Sequence, residues 1–214
     1  MKSIFPTAGA LILLFAAALT ACMGSSAPTK PIYYYALDYA APFPQTDQPL
    51  PYVLRVARFN VSPPFDSRRI VYAGKGLQRN TYAYHQWIVA PGELLTYLIA
   101  RDLRQTHAYK AVLPPDATLN ASHTVYGWVE QFIEQDAGSA NQADLRLHIT
   151  LAADMEPNPD KRILFQKTYS ATEPCADSTT EGLAQAMSAA AAKISAALTQ
   201  DIHSQLAQRQ TVTK

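Results

Sequence analysis

The sequence predicts an α/β fold in which two main helices pack on a mixed, largely antiparallel sheet. Residues 144–152 alternate apolar and polar side chains, as a half-buried strand does. Residues 91–106 carry an apolar stripe at helical spacing, and a longer helical pattern occupies residues 178–208. Strand patterns on both sides of the first helix supply the rest of the sheet.

The first part of the domain is predicted to be mainly strands. Ile32–Asp38 is a strand because of its tyrosine run, and the proline-rich residues 40–51 form a loop. Tyr52–Val61 is expected to be one strand, whose incomplete alternation indicates one largely buried face. Beyond a break at residues 62–66, Ile70–Ala73 and Leu77–Tyr84 form a hairpin around Gly74-Lys75-Gly76.

The first helix is predicted to begin at Pro91 and to end near Thr106. Proline suits the first helical position, and Glu93 places an acid in the first turn. Its apolar stripe consists of Leu94, Leu95, Leu98, Ile99 and Leu103. Arg101, Asp102 and Arg104 are expected to face water, so that this is a surface helix lying on the sheet.

Three successive strand patterns, preceded by a short strand at Ala111–Leu113, predict an antiparallel meander. The first, His123–Ile133, places Thr124, Tyr126, Trp128, Glu130 and Phe132 on one face and Val125, Val129 and Ile133 on the other. The second, Asp144–Ala152, separates Leu145, Leu147, Ile149 and Leu151 from Arg146, His148 and Thr150. The third is Arg162–Ala171, and turns at residues 138–141 and 156–159 join the three.

The last helix is predicted to begin at Ser178, whose spacing to Glu181 is that of a capping box, and to end near Gln208. Its apolar stripe consists of Leu183, Met187, Ala190, Ile194, Ala197, Leu198, Ile202 and Leu206. A helix of ~30 residues is long compared with the usual ~11–12. Part of the narrow stripe is therefore expected to be available to a second protein. The length of the helix and the 12 tyrosines of the chain also leave open that the protein forms a homo-oligomer.

The N-terminus has the organisation of a signal peptide. Lys2 precedes a charge-free run from Ala8 to Leu19, which is too short to cross a membrane as a helix of ~20 apolar residues. The following Leu19-Thr20-Ala21-Cys22 resembles a bacterial lipobox. This resemblance implies cleavage before Cys22 and acylation of its thiol and amino group, by fatty acids such as palmitate. The alternatives are an ordinary secretory peptide with an incidental cysteine, or an uncleaved anchor.

The lipobox defines the domain organisation. We expect a signal peptide at residues 1–21, a lipidated tether at 22–31, a single domain at 32–210 and a C-terminal tail at 211–214. Several acyl chains on one cysteine suffice for stable membrane anchoring. Because Met23 rather than an aspartate follows Cys22, resemblance to the enterobacterial sorting rule favours the outer membrane, with the domain facing the periplasm.

Charge balance, cysteine count and histidine spacing argue against a nucleic-acid partner, an intramolecular disulfide and a metal site. Without residues 1–21, the chain carries seventeen basic and seventeen acidic residues, which argues against nucleic acid as a partner. If Cys22 is acylated, Cys175 is the remaining thiol and is either buried and inert or available for intermolecular pairing. The five histidines show no metal-binding spacing, so neither a metal site nor a cofactor is predicted.

Three stretches occur in the order of a known family: the strand Val53–Val61, the segment Asp66–Tyr72, and Tyr82–Leu98 with Trp87 and Pro91. Together with the early tyrosine-rich strand and the long final helix, this order resembles the ABC-type transport auxiliary lipoproteins, the PqiC-like group. The resemblance covers most of residues 32–208. One departure is Ile88-Val89, where the family commonly has a small residue and an acid.

The resemblance implies a two-layer α/β sandwich similar to the TolB amino-terminal domain. It also implies a non-enzymatic accessory to an MCE-type lipid transport system, whose partners are an MCE-domain protein and its permease and ATPase. The sequence agrees in lacking a phosphate-binding Gly-x-x-x-x-Gly-Lys-Ser/Thr loop. The alternative function is a structural envelope lipoprotein that binds peptidoglycan or an outer-membrane protein. A hydrolase is least favoured, because no Gly-x-Ser-x-Gly elbow is present.

Five residues are candidate contacts for a partner or a lipid headgroup. Arg68 and Arg69 offer guanidinium groups that match carboxylate or phosphate, although salt bridges within the domain are an equal alternative. Tyr82, Tyr84 and Trp87 offer aromatic anchors, although packing of Trp87 in the core is favoured. A polar site at Asp144, Arg146 and His148 is also considered, but a solvated strand face is favoured there.

Overall fold

The computed structural model describes residues 30–41, 46, 48–74, 76–136, 138 and 140–212. The predicted signal peptide, Cys22 and most of the predicted tether lie outside these residues, as does Lys75 of the hairpin turn. The strands are β1 (Tyr33–Tyr35), β2 (Leu50–Val56), β3 (Asn60–Val61), β4 (Arg69–Ala73), β5 (Arg79–Trp87), β6 (Tyr109–Leu113), β7 (His123–Asp136), β8 (Asn141–Ala153) and β9 (Ile163–Pro174). The helices are α1 (Pro91–Gln105), α2 (Pro159–Arg162) and α3 (Thr180–Val212), with a 3₁₀ turn at Pro63–Phe65.

Strand β7 organises the sheet. On one side it pairs antiparallel with β8, which pairs antiparallel with β9, so the predicted meander is confirmed. On its other side β7 pairs in parallel with β2, β3 and β4 at successive positions along its length. Beyond β2 lies β6, and beyond β4 lie β5 and then β1 at the edge of the sheet. The two long pairings of the meander and the pairing of β4 with β5 are antiparallel, and the remaining pairings are parallel, which confirms a mixed sheet.

The helices form a second layer on one face of the sheet. Helix α3 packs against β8 and β9, while α1 packs against β2, β6 and β7 and also contacts α3. The inward side chains of β8 are Leu145, Leu147, Ile149 and Leu151, all fully buried as their alternation predicts. The predicted α/β sandwich is therefore confirmed. Among the described residues, no helix combines the length and hydropathy that spanning a membrane requires.

The predicted strand Tyr52–Val61 is instead two strands, β2 and β3. The chain leaves the ladder at Phe59, whose buried side chain packs over Gly127 of β7. A Cβ at Gly127 would lie 2.6 Å from Cδ2 of Phe59, so only glycine leaves room for the ring. The Phe59 backbone N–H donates instead to Oγ1 of Thr96 on α1, at 2.9 Å.

The predicted faces of β7 are wrong at Phe132. A β-bulge at Glu130 interrupts the pairing, because Val129 faces Leu147 whereas Gln131 already faces Arg146. One extra residue reverses the alternation that follows it, so Phe132 faces Leu145 on the core side. Tyr126 and Trp128, which precede the bulge, remain about half exposed on the outer face.

The last helix also differs from prediction at its ends. The expected capping box of Ser178 and Glu181 is absent; Thr179 is the cap, and its Oγ1 accepts the backbone N–H of Gly182 at 3.0 Å. The cap lies one residue later than expected, so Gly182 occupies the third helical position. A capping box needs a glutamate or glutamine side chain at that position, and glycine has none. At the other end α3 reaches Val212, so residues 211 and 212 of the predicted tail are helical.

The apolar stripe of α3 is used within the domain. Its predicted members are buried except for Ala197, which is exposed, and the buried face is broadened by Ala184, Ala186, Ser188, Ala191, Ser195 and Thr199. Because this face packs on the sheet and on α1, it is not available to a second protein.

Candidate functional site

The edge of the sheet at β1, near the start of the domain, carries a group of exposed aromatic side chains. Strand β1 pairs in parallel with β5, with Tyr33 opposite His85 and Tyr34 opposite Gln86. Ile32, Tyr33, Tyr34 and Tyr84 are each 41–54% exposed, although large hydrophobic and aromatic residues are usually more buried. Ile32, Tyr34 and Tyr84 lie on one face of β1 and β5, because side chains alternate along a strand, and Tyr33 points to the opposite face. Ile32, Tyr34, Tyr84 and Arg68 are called the β1 patch below.

Arg68 completes the β1 patch from the start of β4. Its guanidinium lies 5.7 Å from the ring centroid of Tyr34, a cation–π geometry, and its carbonyl oxygen accepts the N–H of Trp87 at 2.8 Å. Arg69 is exposed beside it. Within the part of the chain that the structure describes, neither arginine forms a salt bridge. Both guanidinium groups are therefore accessible to an anionic group from outside the domain.

His85 fixes the inner side of β1 to the sheet. Its Nδ1 lies 2.8 Å from the hydroxyl of Tyr35, and its ring stacks on Tyr33 with 5.4 Å between centroids. Tyr82 meets the same imidazole edge-on at 5.8 Å. A strand of three residues is thus held by side-chain contacts as well as by its ladder.

Tyr82 belongs to a buried polar network rather than to the surface. Its hydroxyl donates to Oε2 of Glu134 at 2.7 Å, and Nδ2 of Asn141 donates to Oε1 of the same carboxylate. Burial, and then the hydrogen bond and charge of Glu134, raise the pKa of Tyr82. Glu134 is 4% exposed, so this network joins β5, β7 and β8 in the interior beside the β1 patch.

Trp87 lies in the core. It is 1% exposed and meets the ring of Phe132 edge-on, with 5.1 Å between centroids. The indole therefore cannot act as a surface anchor, and its contribution is packing. Of the five candidate residues, the structure thus leaves Arg68, Arg69 and Tyr84 exposed, and turns Tyr82 and Trp87 inward.

Cys175 is also inward, at the end of β9, where it is 6% exposed. Burial raises the pKa of its thiol, and the charges of Glu134 and Asp177 act in the same direction. A protonated, buried thiol is a poor nucleophile and is not placed to pair with another chain.

Asp102 is a buried functional group that the helical pattern did not predict. The sequence places it on the water-facing side of α1, yet it is 2% exposed. Its carboxylate accepts from the hydroxyls of Tyr39, at 2.8 Å, and Ser195, and from Nε of Arg101 at 2.9 Å. Nη2 of Arg101 lies 2.8 Å from the carboxylate but is not aligned to donate, so that contact is an ion pair alone.

This cluster ties the segment after β1 to both helices. Burial, and then the charge of Asp102, raise the pKa of Tyr39, so its hydroxyl remains a proton donor. Asp38 is held as well, because its N–H donates to Oγ of Ser188 on α3 at 3.1 Å. The segment next to the β1 patch is therefore rigidly positioned.

Three open cavities flank β1. A polar one of about 610 Å³ lies between His85 and the start of α3, and another of about 690 Å³ lies between Tyr39 and α3. A third, of about 630 Å³, is more apolar and lies between residues 36–38, Ile88 and Tyr97 of α1. In the described ranges, no group of three histidine, cysteine or acidic residues is arranged to hold a metal ion.

The outer face of the meander carries polar side chains that bind one another. Nε2 of His148 lies 2.8 Å from Glu130, Nδ1 lies 2.7 Å from the hydroxyl of Thr168, and Arg146 is 3.8 Å from Glu130. With both ring nitrogens occupied, His148 has no free nitrogen for a ligand. Asp144 contacts neither Glu130 nor His148, and burial raises its pKa while Arg146 opposes the shift.

Comparison with known proteins gives one family. The model of a family described as the ABC-type transport auxiliary lipoprotein component matches residues 35–199. No curated protein matches the chain.

Two solved structures show the same fold. The crystal structure of a Xanthomonas campestris protein, whose family model is named DUF330, aligns with a TM-score of 0.69 at 18% identity, over 85% of this chain and 97% of that one. An uncharacterized protein aligns with a TM-score of 0.61 at 13% identity, over 81% of this chain and 99% of its own.

Proposed function

The chain belongs to the ABC-type transport auxiliary lipoprotein family, and we propose that it serves an MCE-type lipid transport system as a non-enzymatic component. In this proposal, acylated Cys22 holds the protein in the outer membrane, facing the periplasm. The folded domain binds an MCE-domain protein, and the inner-membrane permease and ATPase supply the energy. The family match over residues 35–199 is the observation that carries the proposal.

Two features of the chain support this role. Leu19-Thr20-Ala21-Cys22 follows an apolar run and resembles a lipoprotein processing signal, and multiple acyl chains give stable anchoring. The polar clusters around Asp102, Glu134 and Glu130 are occupied by internal hydrogen bonds. An arrangement of this kind suits a binding module, because its polar groups stabilise the domain and its exposed surface is left for contacts.

The anchoring half of the proposal predicts the behaviour of Cys22→Ala. We expect this variant to be lost from the outer-membrane fraction and to fail to restore function in cells that lack the protein, because no acyl chain is attached. Fractionation and complementation measure the two effects. Full complementation by a soluble periplasmic form would show that the anchor is dispensable.

The partner half is tested by affinity capture from solubilised envelopes. We expect the lipidated protein to retrieve an MCE-domain protein, and Cys22→Ala, added as purified protein, to retrieve it in vitro as well, since the domain provides the contact. Retrieval of peptidoglycan fragments or an outer-membrane protein instead would favour the alternative function of a structural envelope lipoprotein.

A further inference from the structure

The β1 patch exposes chemistry that suits the polar surface of a membrane. Tyr34 is 51% exposed, and Ile32 and Tyr84 on the same face are 44% and 41% exposed. Tyrosine is enriched where membrane meets water, because its ring is apolar and its hydroxyl is wet. Arg68 lies over Tyr34 and, in the described part of the chain, has no carboxylate partner. A guanidinium in that position matches the geometry of a lipid phosphate.

The length of chain before the domain keeps this patch close to the anchor. Nine residues lie between Cys22 and Ile32, which are therefore ten residue steps apart, and an extended chain spans at most ~3.3–3.6 Å per step, or about 35 Å in all. The β1 patch begins at Ile32 itself, where that segment ends. The other exposed aromatic pair, Tyr126 and Trp128, follows more than ninety residues later on β7.

We infer that the β1 patch lies against the lipid surface in which the protein is anchored, with Tyr34 and Tyr84 among the headgroups and Arg68 on a phosphate. The inference rests on the proposed anchoring at Cys22. Contact of this kind orients the domain, because β1 is fixed to the sheet through His85 and the following segment is fixed to both helices through Tyr39 and Asp102. A membrane that holds β1 therefore sets the direction in which the rest of the domain projects.

The test uses the full lipidated chain in vesicles of phosphatidylethanolamine with a minority of phosphatidylglycerol. The photoreactive residue benzoylphenylalanine replaces Tyr34 in one sample and Tyr126 in the other. The two positions are a matched pair, being 51% and 50% exposed. After irradiation, mass spectrometry counts phospholipid adducts at each position. We expect a several-fold higher yield at position 34 than at position 126.

Flotation of the same samples separates the inference from the proposed anchoring. Protein that fails to float with the vesicles overturns the anchoring itself. Protein that floats but gives equal or no adduct at positions 34 and 126 overturns only the membrane contact of the β1 patch. In intact cells, adducts at position 34 with a protein and none with lipid would also overturn it.

A second variant tests the role of the guanidinium. Arg68→Gln keeps a polar, exposed side chain but removes the positive charge, so we expect a several-fold lower lipid adduct at position 34 while flotation is unchanged. Arg104→Gln on α1 is the control and should leave the adduct yield as it was. Equal yields in the two variants would remove Arg68 from the contact.

Discussion

Individual buried polar residues in this domain lie where separate elements meet. Asp102 joins α1, α3 and the segment after β1, while Glu134 joins β5, β7 and β8. A buried carboxylate is tolerated only when donors surround it, because its desolvation is otherwise too costly. Each of these carboxylates therefore specifies which elements pack together, in addition to any stability that it provides.

Replacing Asp102 tests this role. We expect Asp102→Ala to lower the free energy of unfolding by about 3–5 kcal/mol, because the hydroxyls of Tyr39 and Ser195 and the charge of Arg101 lose their partner. Urea unfolding followed by circular dichroism measures the loss. Ser195→Ala removes one donor and should cost only about 1 kcal/mol. Equal losses in the two variants would contradict the central role of the carboxylate.

His123 is expected to make stability depend on pH. Burial, and then the positive charge of Arg209, lower the pKa of His123 from its ordinary value of 6.5, against the opposing charge of Asp154. The unfolded state therefore binds the proton more readily than the folded state does. The stability that neutral His123 contributes is therefore fully present above about pH 6.5. It is lost as the pH decreases from there toward the folded-state pKa of His123.

The matching variant is His123→Phe, which keeps an aromatic ring against Tyr52 but cannot be protonated. We expect the difference in unfolding free energy between pH 7.5 and pH 5 to be smaller in this variant than in the wild-type protein, by at most about 1.4 kcal/mol for each unit of pKa shift. Urea titrations at the two pH values measure it. An unchanged difference would show that other groups produce the pH dependence.

At the scale of elements, small local features set where strands and helices end. The bulge at Glu130 turns Phe132 into the core, and Gly127 lets Phe59 cross β7 between β2 and β3. Thr179 rather than Ser178 caps α3, and Asp177 accepts from the N–H of Thr179 at 3.0 Å. The ends of these elements thus depend on single contacts, whereas their middles depend on repeated apolar spacing.

The start of α3 can be assigned by comparing two neighbours. Thr179→Ala should lower the free energy of unfolding by about 1 kcal/mol, because the N–H of Gly182 loses its acceptor. Ser178→Ala should change it by less than about 0.5 kcal/mol, since Ser178 is exposed and does not cap the helix. Thermal unfolding of both variants measures the difference. A larger loss from Ser178→Ala would restore the capping box that the sequence predicts.

The molecule as a whole is built on one core. The buried apolar side chains of α1, α3 and the sheet form a single cluster that runs from Leu37 to Leu206. Both main helices and all three strands of the meander contribute to it. The domain that begins at Ile32 should therefore unfold as one unit, because the buried apolar residues that the structure describes in it belong to this single cluster.

Leu147→Ala tests this cooperativity. Leu147 is fully buried on β8, so the truncation should cost about 2–5 kcal/mol. We expect the urea midpoints from circular dichroism and from tryptophan fluorescence to fall together, since Trp87 lies in the same core. Thr150→Ala, on the opposite face of β8, is the control and should shift neither midpoint strongly. Midpoints that separate would indicate two folding units.

The middles of the main elements could be predicted from the chain because they repeat. The alternation of β8 and the helical stripes of residues 91–105 and 180–208 reflect burial on one face, which each segment records in its own residues. The family could be inferred as well, because it depends on the order of several short stretches that remain readable in sequence. The aromatic run Tyr33-Tyr34-Tyr35 predicted a strand, but not that its outer residues would stay exposed at an edge.

What the sequence by itself determined is the α/β class, the meander and both main helices, and it predicts a lipoprotein processing signal at Cys22. Only the tertiary structure decided that Asp102 and Glu134 are buried, that Phe132 faces inward, and that Arg68 meets Tyr34. The physical reason is the range of the interactions. Periodic burial acts along one segment, whereas buried hydrogen bonds, bulges and edge surfaces depend on residues that are distant in the chain and come together only after folding.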